Sequence, residues 1–294
     1  MGKRVLILFL MAAVFLGAAF WFYRSYKLHQ PTPPGTRPSA ETPRTVPPAP
    51  GAASKVPETG APRPSENKGL EPPIFSPRAG EVLDFAANVT KLNSTVANLT
   101  VKVAERRNFD GKSAWHLQAF AHTENPYRMV FELDDQFDSY SDALNLHSLQ
   151  YELHLSERGQ KADTVEKMIS SGKEPAPADV VAARVLPGTR DPLGMLMYLR
   201  GVDWNKTTEV RSPVYDGHKL YDVRAVLVGK SQNVSVAAGK FTTTKIEIHV
   251  LDNGTEMKDA HFLLYLAQGQ DRLPVLMEAV LPVATARVEL TKEH

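Results

Sequence analysis

The stretch "SAWHLQAFAH", Ser113 to His122, sets the period of the chain. Trp115, Leu117, Ala119 and Ala121 fall on one face of an extended strand, and His116, Gln118 and His122 fall on the other. A side-chain period of two belongs to a half-buried antiparallel strand, one face on a core and one in water. The same alternation returns at Leu149, Tyr151, Leu153 and Leu155, at Ile246, Ile248 and Val250, and at Ala284, Ala286, Val288 and Leu290. Asp110-Gly111, Asp216-Gly217 and Asn253-Gly254 lie between such runs and read as hairpin turns, because these residues accept left-handed backbone. At the last turn a strict two-residue loop would set Asp259 opposite Ile248 on the buried face. Pairing Ile246 with Phe262 and Ile248 with Ala260 restores the faces, so a bulge or a longer loop is expected there. From Lys161 to Pro187 the alternation breaks. "KEPAPADVV" marks an irregular excursion with a short strand or helix around Thr164 to Ser170.

One segment carries the other period. In "TRDPLGMLMYLR", Thr189 to Arg200, Asp191 suits a helix N-cap and Pro192 the first helical position, where no amide partner is needed. Leu193, Leu196, Met197 and Arg200 follow helical spacing, and Met195, Tyr198 and Leu199 make the remaining surface apolar. A helix apolar on nearly all sides is buried on nearly all sides. At about 10 residues it is far too short to span a bilayer. It is expected to lie across the concave face of the sheet. Two roles stay open: a plug that fills the core, or a deformable wall in which Leu193, Leu196, Met197 and Leu199 line an apolar pocket.

Ahead of this β domain (74–294) the chain changes character twice. Val5 to Tyr23 is 19 residues without a charge. As a helix it would rise roughly 28 Å, enough for the hydrocarbon core of a membrane. Gly17-Ala18-Ala19 offers a signal-peptide cleavage site as the rival reading. The apolar run continues through Phe20-Trp21-Phe22-Tyr23, aromatics that suit an interfacial belt. The reading adopted is an uncleaved anchor, residues 1–29, that contacts the membrane through residues 5–23. Residues 30–73 hold 13 prolines in 44 positions and few large apolar side chains. Such a segment buries too little surface to offset its ordering entropy, so a disordered linker is expected, reaching on the order of 130 Å when extended. The expected placement is single-pass in the inner membrane with the C-terminal domain in the periplasm.

Composition narrows the function classes. Lys and Arg number 34 against 33 Asp and Glu, so no global basic field draws the chain to nucleic acid. Cysteine is absent, which removes disulfides, thiolate metal sites and a cysteine nucleophile. Six Asn-x-Ser/Thr sequons read as threonine-rich strand sequence. Gly229-Lys230-Ser231 ends like a phosphate loop, but Arg224 stands where a glycine is required. No nucleophile elbow, zinc-protease or dinucleotide signature occurs. The chain is therefore read as a non-enzyme with no cofactor. "LDDQFDSYSD" places Asp134, Asp135, Asp138 and Asp142 close enough to suggest calcium, but without calcium-loop spacing or a glycine. They are expected to cap a turn between strands. The nine histidines are scattered on polar strand faces. His249 and His261 fall in neighbouring strands but out of register, so no metal site is assigned.

Five short patterns, in order, carry a resemblance. They are Gly80-Glu81-x-Leu83-x-Phe85, Asp135-x-Phe137-Asp138-Ser139-x-x-Asp142 and Asp191-x-Leu193-x-x-Leu196-x-Tyr198-Leu199-Arg200. Gly239-x-Phe241-x-Thr243-x-Lys245-x-Glu247 and Asp271-Arg272-Leu273-Pro274-Val275 complete the set. The chain resembles bacterial domain-of-unknown-function family 3108, whose members are envelope proteins. That family is similar in outline to LolA/LolB-type carriers, in which a curved antiparallel sheet cups a helix over an apolar cavity. The resemblance implies a mainly β fold, a curved sheet or open barrel with one short packed helix. It implies no activity. Asp191, Arg200, Asp271 and Arg272 are the charges inside the patterns. They are read as a buried Arg–Asp pair fixing the helix, or as the polar rim of a pocket. Two functions are carried forward: a binding module for a lipid or other apolar ligand, and an envelope assembly protein whose β domain binds a protein partner.

Overall fold

The structure is a computed structural model, and it describes residues 75–90, 92, 94–170, 182–257, 261–281 and 284–294. The expected anchor at 5–23 and linker at 30–73 lie outside these residues. No helix among the described residues is long and apolar enough to cross a membrane. The strands are β1 (Val82–Val89), β2 (Thr95–Phe109), β3 (Lys112–Thr123), β4 (Asp134–Asp142), β5 (Ser148–Glu157), β6 (Gln160–Ser170) and β7 (Ala182–Val185). After helix α1 (Pro192–Gly201) come β8 (Glu209–Tyr215), β9 (Leu220–Val236), β10 (Gly239–Asp252), β11 (Thr255–Glu256), β12 (His261–Ala267), β13 (Pro274–Val280) and β14 (Thr285–Glu293).

All belong to one sheet of order β7-β6-β5-β4-β3-β2-β1-β14-β13-β12-β10-β9-β8, with β11 beside β10. Every pairing is antiparallel except β6–β7. The sheet stays open but curls far enough that a two-residue bridge links β5 to the end strand β8. Thr189 and Arg190 stitch the gap: Ser148 N on β5 donates to Thr189 O (3.0 Å), Arg190 N donates to Pro213 O on β8 (3.0 Å), and Tyr215 N donates to Arg190 O (2.8 Å). At the same seam the β8–β9 turn presses on β5, where a Cβ at Gly217 would come within 2.5 Å of Leu153 Cδ1.

The interior is one apolar cluster. It takes Trp115, Leu117, Ala119 and Ala121 from β3, Ile246, Ile248 and Val250 from β10, and Ala286, Val288 and Leu290 from β14, as the alternation requires. Helix α1 lies inside the curl, with every residue from Pro192 to Gly201 buried. Asp110-Gly111 and Asn253-Gly254 each place both residues at positive φ, the backbone that a two-residue hairpin needs. Asp216-Gly217 forms a wider turn, closed by Asp216 Oδ1 accepting from His218 N and Lys219 N.

Three expectations need correction. The acidic stretch is no turn: Asp134 to Asp142 is strand β4, with Phe137, Ser139 and Ser141 buried. Hydroxyls stand where large apolar residues would mark an inner face, which hid the alternation. The excursion does not begin at Lys161: the short strand expected around Thr164 to Ser170 is present as the longer β6, which pairs with β5 from Gln160 to Lys167 through an Arg158-Gly159 turn at positive φ. Finally, the Asn253-Gly254 hairpin pairs Asp252 with Thr255, yet pairing resumes with Phe262 opposite Ile248 and Leu264 opposite Ile246. The irregularity thus follows β11 and is larger than the expected one-residue shift, though it has the same parity. The faces survive because only an odd slip from the tight register restores them.

Candidate functional site

Helix α1 is fixed at both ends by buried polar groups. At its start Asp191 accepts from Gly194 N (2.9 Å), the N-cap bond, and its other oxygen accepts from Ser139 Oγ (2.5 Å) and from Ser148 Oγ. Burial pushes the Asp191 carboxyl above the ordinary carboxylate range, while these serine and backbone donors pull it back. Ser139 and Ser141 come from β4 and Ser148 from β5, so the hydroxyls inside the barrel serve the helix cap. Arg190, fully buried, donates to Ser212 Oγ (2.8 Å) and Asn145 O (2.8 Å) and lies 3.8 Å over the Tyr198 ring. Desolvation pushes its pKa down to about 10.

At the helix end Arg200 donates twice to Glu81, Nη1 to Oε2 and Nη2 to Oε1, both 2.8 Å, with neither side chain more than 1% exposed. It donates further to Asp271 O (2.8 Å) and Arg272 O (3.2 Å) and lies 4.4 Å over Phe75. The expected buried Arg–Asp pair is therefore an Arg–Glu pair. Asp271 offers Arg200 its backbone, while its carboxylate sits outside with Arg78 at 3.1 Å. Glu81 stands next to Gly80 in the first of the five patterns, and that adjacency was its only signal. Arg272 donates to the carbonyls of Arg200 and Val202 past the helix end, and Trp204 Nε1 donates to Leu199 O (3.0 Å). Cationic and N–H donors at a helix C-terminus satisfy its orphan carbonyls.

Leu193, Leu196, Met197 and Leu199 are 0–3% exposed and belong to the main apolar cluster. They face core side chains from the strands. The cleft that the structure does carry lies beyond the helix end. It holds about 760 Å³ and is bounded by Trp204 and Asn205 after the helix, Lys230 and Ser231 on β9, Leu266 and Ala267 at the end of β12, and Gln268 to Gln270 and Arg272 in the loop that follows. Its lining holds two cations, Lys230 and Arg272, and no carboxylate. Three amides and two hydroxyls join them, with Leu266 and Trp204 buried behind. A kink in the β9–β10 arm shapes the wall. Ser231 has φ 56°, Thr243 Oγ1 accepts the bend by donating to Gln232 O (2.9 Å), and the register shifts between Thr243 and Ile246. Beyond the kink the arm folds back, with Val234 against Leu263, Tyr265 and Leu276 and Ala238 N bonded to Leu290 O. Of the charges expected to rim a pocket, Arg272 alone lines this cleft. Lys230 and Ser231 were met in the sequence only as a failed phosphate-loop ending and lie on β9, while Gln268 and Gln270 gave no signal because isolated polar residues in a loop carry no period.

The four aspartates of β4 go four ways. Asp134 is bound by Arg128 (2.8 and 2.5 Å). Asp135 points inward and accepts from Ser156 N (2.9 Å). Asp138 faces out, and Asp142 caps the β4–β5 turn through Leu144 N and Asn145 N. They form no shared calcium cage. His249 and His261 were expected to be out of register, but the β10–β12 pairing that sets Phe262 opposite Ile248 runs on to bring them opposite each other, and both lean on Glu247, His249 Nε2 at 3.7 Å and His261 Nε2 in direct contact.

Comparison with solved structures gives distant likenesses. A β-barrel-like protein of domain-of-unknown-function family DUF1849 from Brucella abortus aligns with TM-score 0.45 and 11% identity, over 73% of this chain and 97% of that one. A candidate lipoprotein from Parabacteroides distasonis aligns with TM-score 0.36 and 12% identity, over 77% and 100%. A candidate exported protein with a YmcC-like fold from Bacteroides fragilis aligns with TM-score 0.30 and 10% identity, over 76% and 99%. Comparison with curated proteins returned no match. The family described as "Protein of unknown function (DUF3108)" matches residues 84–291, from β1 to β14. The patterns on which the sequence resemblance rested, including the helix and its Asp191 and Arg200 anchors, lie within or beside that span, and the chain belongs to the DUF3108 family.

Proposed function

We propose that the protein is a membrane-anchored, non-enzymatic binding module of the bacterial envelope, and that its ligand is a lipid-class molecule with an anionic head. The observation that carries this reading is the 760 Å³ cleft at the end of α1, lined by Lys230 and Arg272 and by no carboxylate, with Asp203, which attracts Arg272, standing outside the lining. Two like charges held at one concave surface favour an anion, and the low-dielectric wall behind them strengthens the attraction. The helix side chains Leu193, Leu196, Met197 and Leu199 then act at one remove. By filling the barrel they hold Trp204 and Arg272 in place, and the ligand binds at the mouth instead of beneath the helix. The uncharged run at 5–23 and the proline-rich 30–73 support the envelope placement, since a long tether lets a binding domain sample the space around a membrane.

The test is native mass spectrometry of the full chain with short-chain phosphatidylglycerol and, separately, short-chain phosphatidylcholine. The anionic lipid is expected to bind at least about tenfold more tightly, a difference of about 1.4 kcal/mol, and Lys230→Glu is expected to abolish that preference. Equal uptake of the two lipids, or a preference unchanged in Lys230→Glu, would sink the reading.

A further inference from the structure

The outer face of the sheet, opposite the face that holds the helix, carries a second constellation. Asp138 on β4 pairs directly across from Glu152 on β5, and His154 stands two residues along β5 on the same face. Carboxylate oxygens from the two acids and a ring nitrogen of His154 all lie within 4.8 Å of one another. We infer that these three side chains form a binding site for one divalent first-row transition cation.

Four features of the arrangement point that way. The first is orientation. His154 Nδ1 lies 2.8 Å from Asp163 Oδ1, and its Nε2 lies 3.4 Å from Glu152 Oε2. A carboxylate behind one ring nitrogen, with the other nitrogen facing a cluster of acceptors, is how metal-ligating histidines are held in proteins. The second is support for the acid. Asp138 receives Gln118 Nε2 on Oδ1 (2.8 Å) and Gln136 Nε2 on Oδ2 (2.6 Å), with His116 Nε2 2.6 Å from Oδ1. These contacts fix the carboxylate from its neighbours on β3 and β4 and leave the β5 side to Glu152 and His154. The third is charge. The Asp138 and Glu152 side chains are 5% and 17% exposed, and among the described residues neither has a lysine or arginine partner. Buried charge is costly unless it is paired or coordinates a metal. Histidines are the basic groups at hand, and a divalent cation would balance both carboxylates at once. The fourth is donor chemistry. One imidazole nitrogen and two carboxylates suit zinc, cobalt or manganese and disfavour soft ions that require sulfur.

The site became visible only with the fold. The sequence places Asp138 fourteen residues before Glu152, and the β4–β5 register sets them face to face. It is also remote from the lipid-class cleft in kind. It lies on β4 and β5, whereas the cleft is built from β9, the 266–272 segment and the helix end.

The experiment uses the full, untagged chain, stripped with a chelator and then dialysed free of it. Zn2+ is titrated by calorimetry, and Co2+ is followed by its visible d–d absorption as a reporter of nitrogen and oxygen ligation. One tight equivalent is expected. His154→Ala and Asp138→Asn are each expected to weaken it at least about tenfold, the scale on which site residues act, and to remove the Co2+ bands. His261→Ala removes the histidine that leans on Glu247 at a different place on the sheet, and it is expected to leave both signals intact. Because His154 is 36% exposed, the metal-free thermal midpoint of His154→Ala should match that of the parent, which separates lost ligation from misfolding. The inference is overturned if the parent chain binds Zn2+ no better than His154→Ala, or if His261→Ala removes the tight equivalent.

Discussion

Asp135 shows how one position in the alternation sets a property of the whole fold. It points inward from β4 and is 5% exposed, and its charged form accepts a bond from Ser156 N. Burial, with Glu157 and Asp134 nearby, pushes its pKa up to about 6. The folded state therefore holds this proton when the unfolded chain, with an ordinary aspartate pKa of about 3.9, has released it. Stability from this residue is full below about pH 4 and is lost as pH rises through 6. His147 acts in the opposite sense over a similar range: burial and the Arg190 charge push it down to about 4, so it costs stability as pH falls below its ordinary value. Asp135→Asn removes one of the two. It is expected to raise the urea midpoint relative to the parent at pH 7.5, with the gap closing by pH 4. A gap that is constant across that range would mean Asp135 does not titrate with the fold. That an aspartate would face inward was not legible, because its pattern, Asp135-x-Phe137-x-Ser139-x-Ser141, contains one apolar residue.

At the scale of an element, α1 is the part most completely read from sequence. Asp191 caps it, Pro192 opens it, and its all-round apolarity buries every residue. What the sequence could not show is how closely it is seated. Gly194 faces β4 so tightly that an added Cβ would lie 2.8 Å from Ser141 Oγ and 3.1 Å from Leu146 O. In an isolated helix, Gly to Ala gains about 1 kcal/mol. Here Ser141 Oγ, bonded to Ser139, and the Leu146 carbonyl would both have to shift, and overpacking costs about 1–3 kcal/mol. Gly194→Ala is thus expected to lower the thermal midpoint despite its better propensity, and a rise would show that the helix has slack. The serines explain the seat. Ser139, Ser141 and Ser148 are small enough to admit the helix and polar enough to meet its cap, two demands that an apolar strand face could not satisfy together.

For the molecule as a whole, the Arg200–Glu81 pair joins the helix to the residue that leads into the first strand, 119 residues away. Breaking a buried pair strands a charge and typically costs about 3–5 kcal/mol, whereas replacing both partners by apolar groups can be nearly neutral. Arg200→Met and Glu81→Leu are each expected to lose that much in chemical denaturation, and the double variant less than the sum; additive losses would show that the two side chains do not act as a pair. The sequence by itself determined the β period, the hairpins at Asp110-Gly111 and Asn253-Gly254, the helix start and its burial. All are local, because turn chemistry and face periodicity are written within a few residues. Only the tertiary structure decided that Glu81 is the partner of Arg200, that residues 189–190 link β5 to β8, and that Lys230 and Arg272 share a cleft. The same holds for Asp138, Glu152 and His154. Each depends on strand register and on how far the sheet curls, and these are set by the packing of the whole core, which no single stretch of sequence contains.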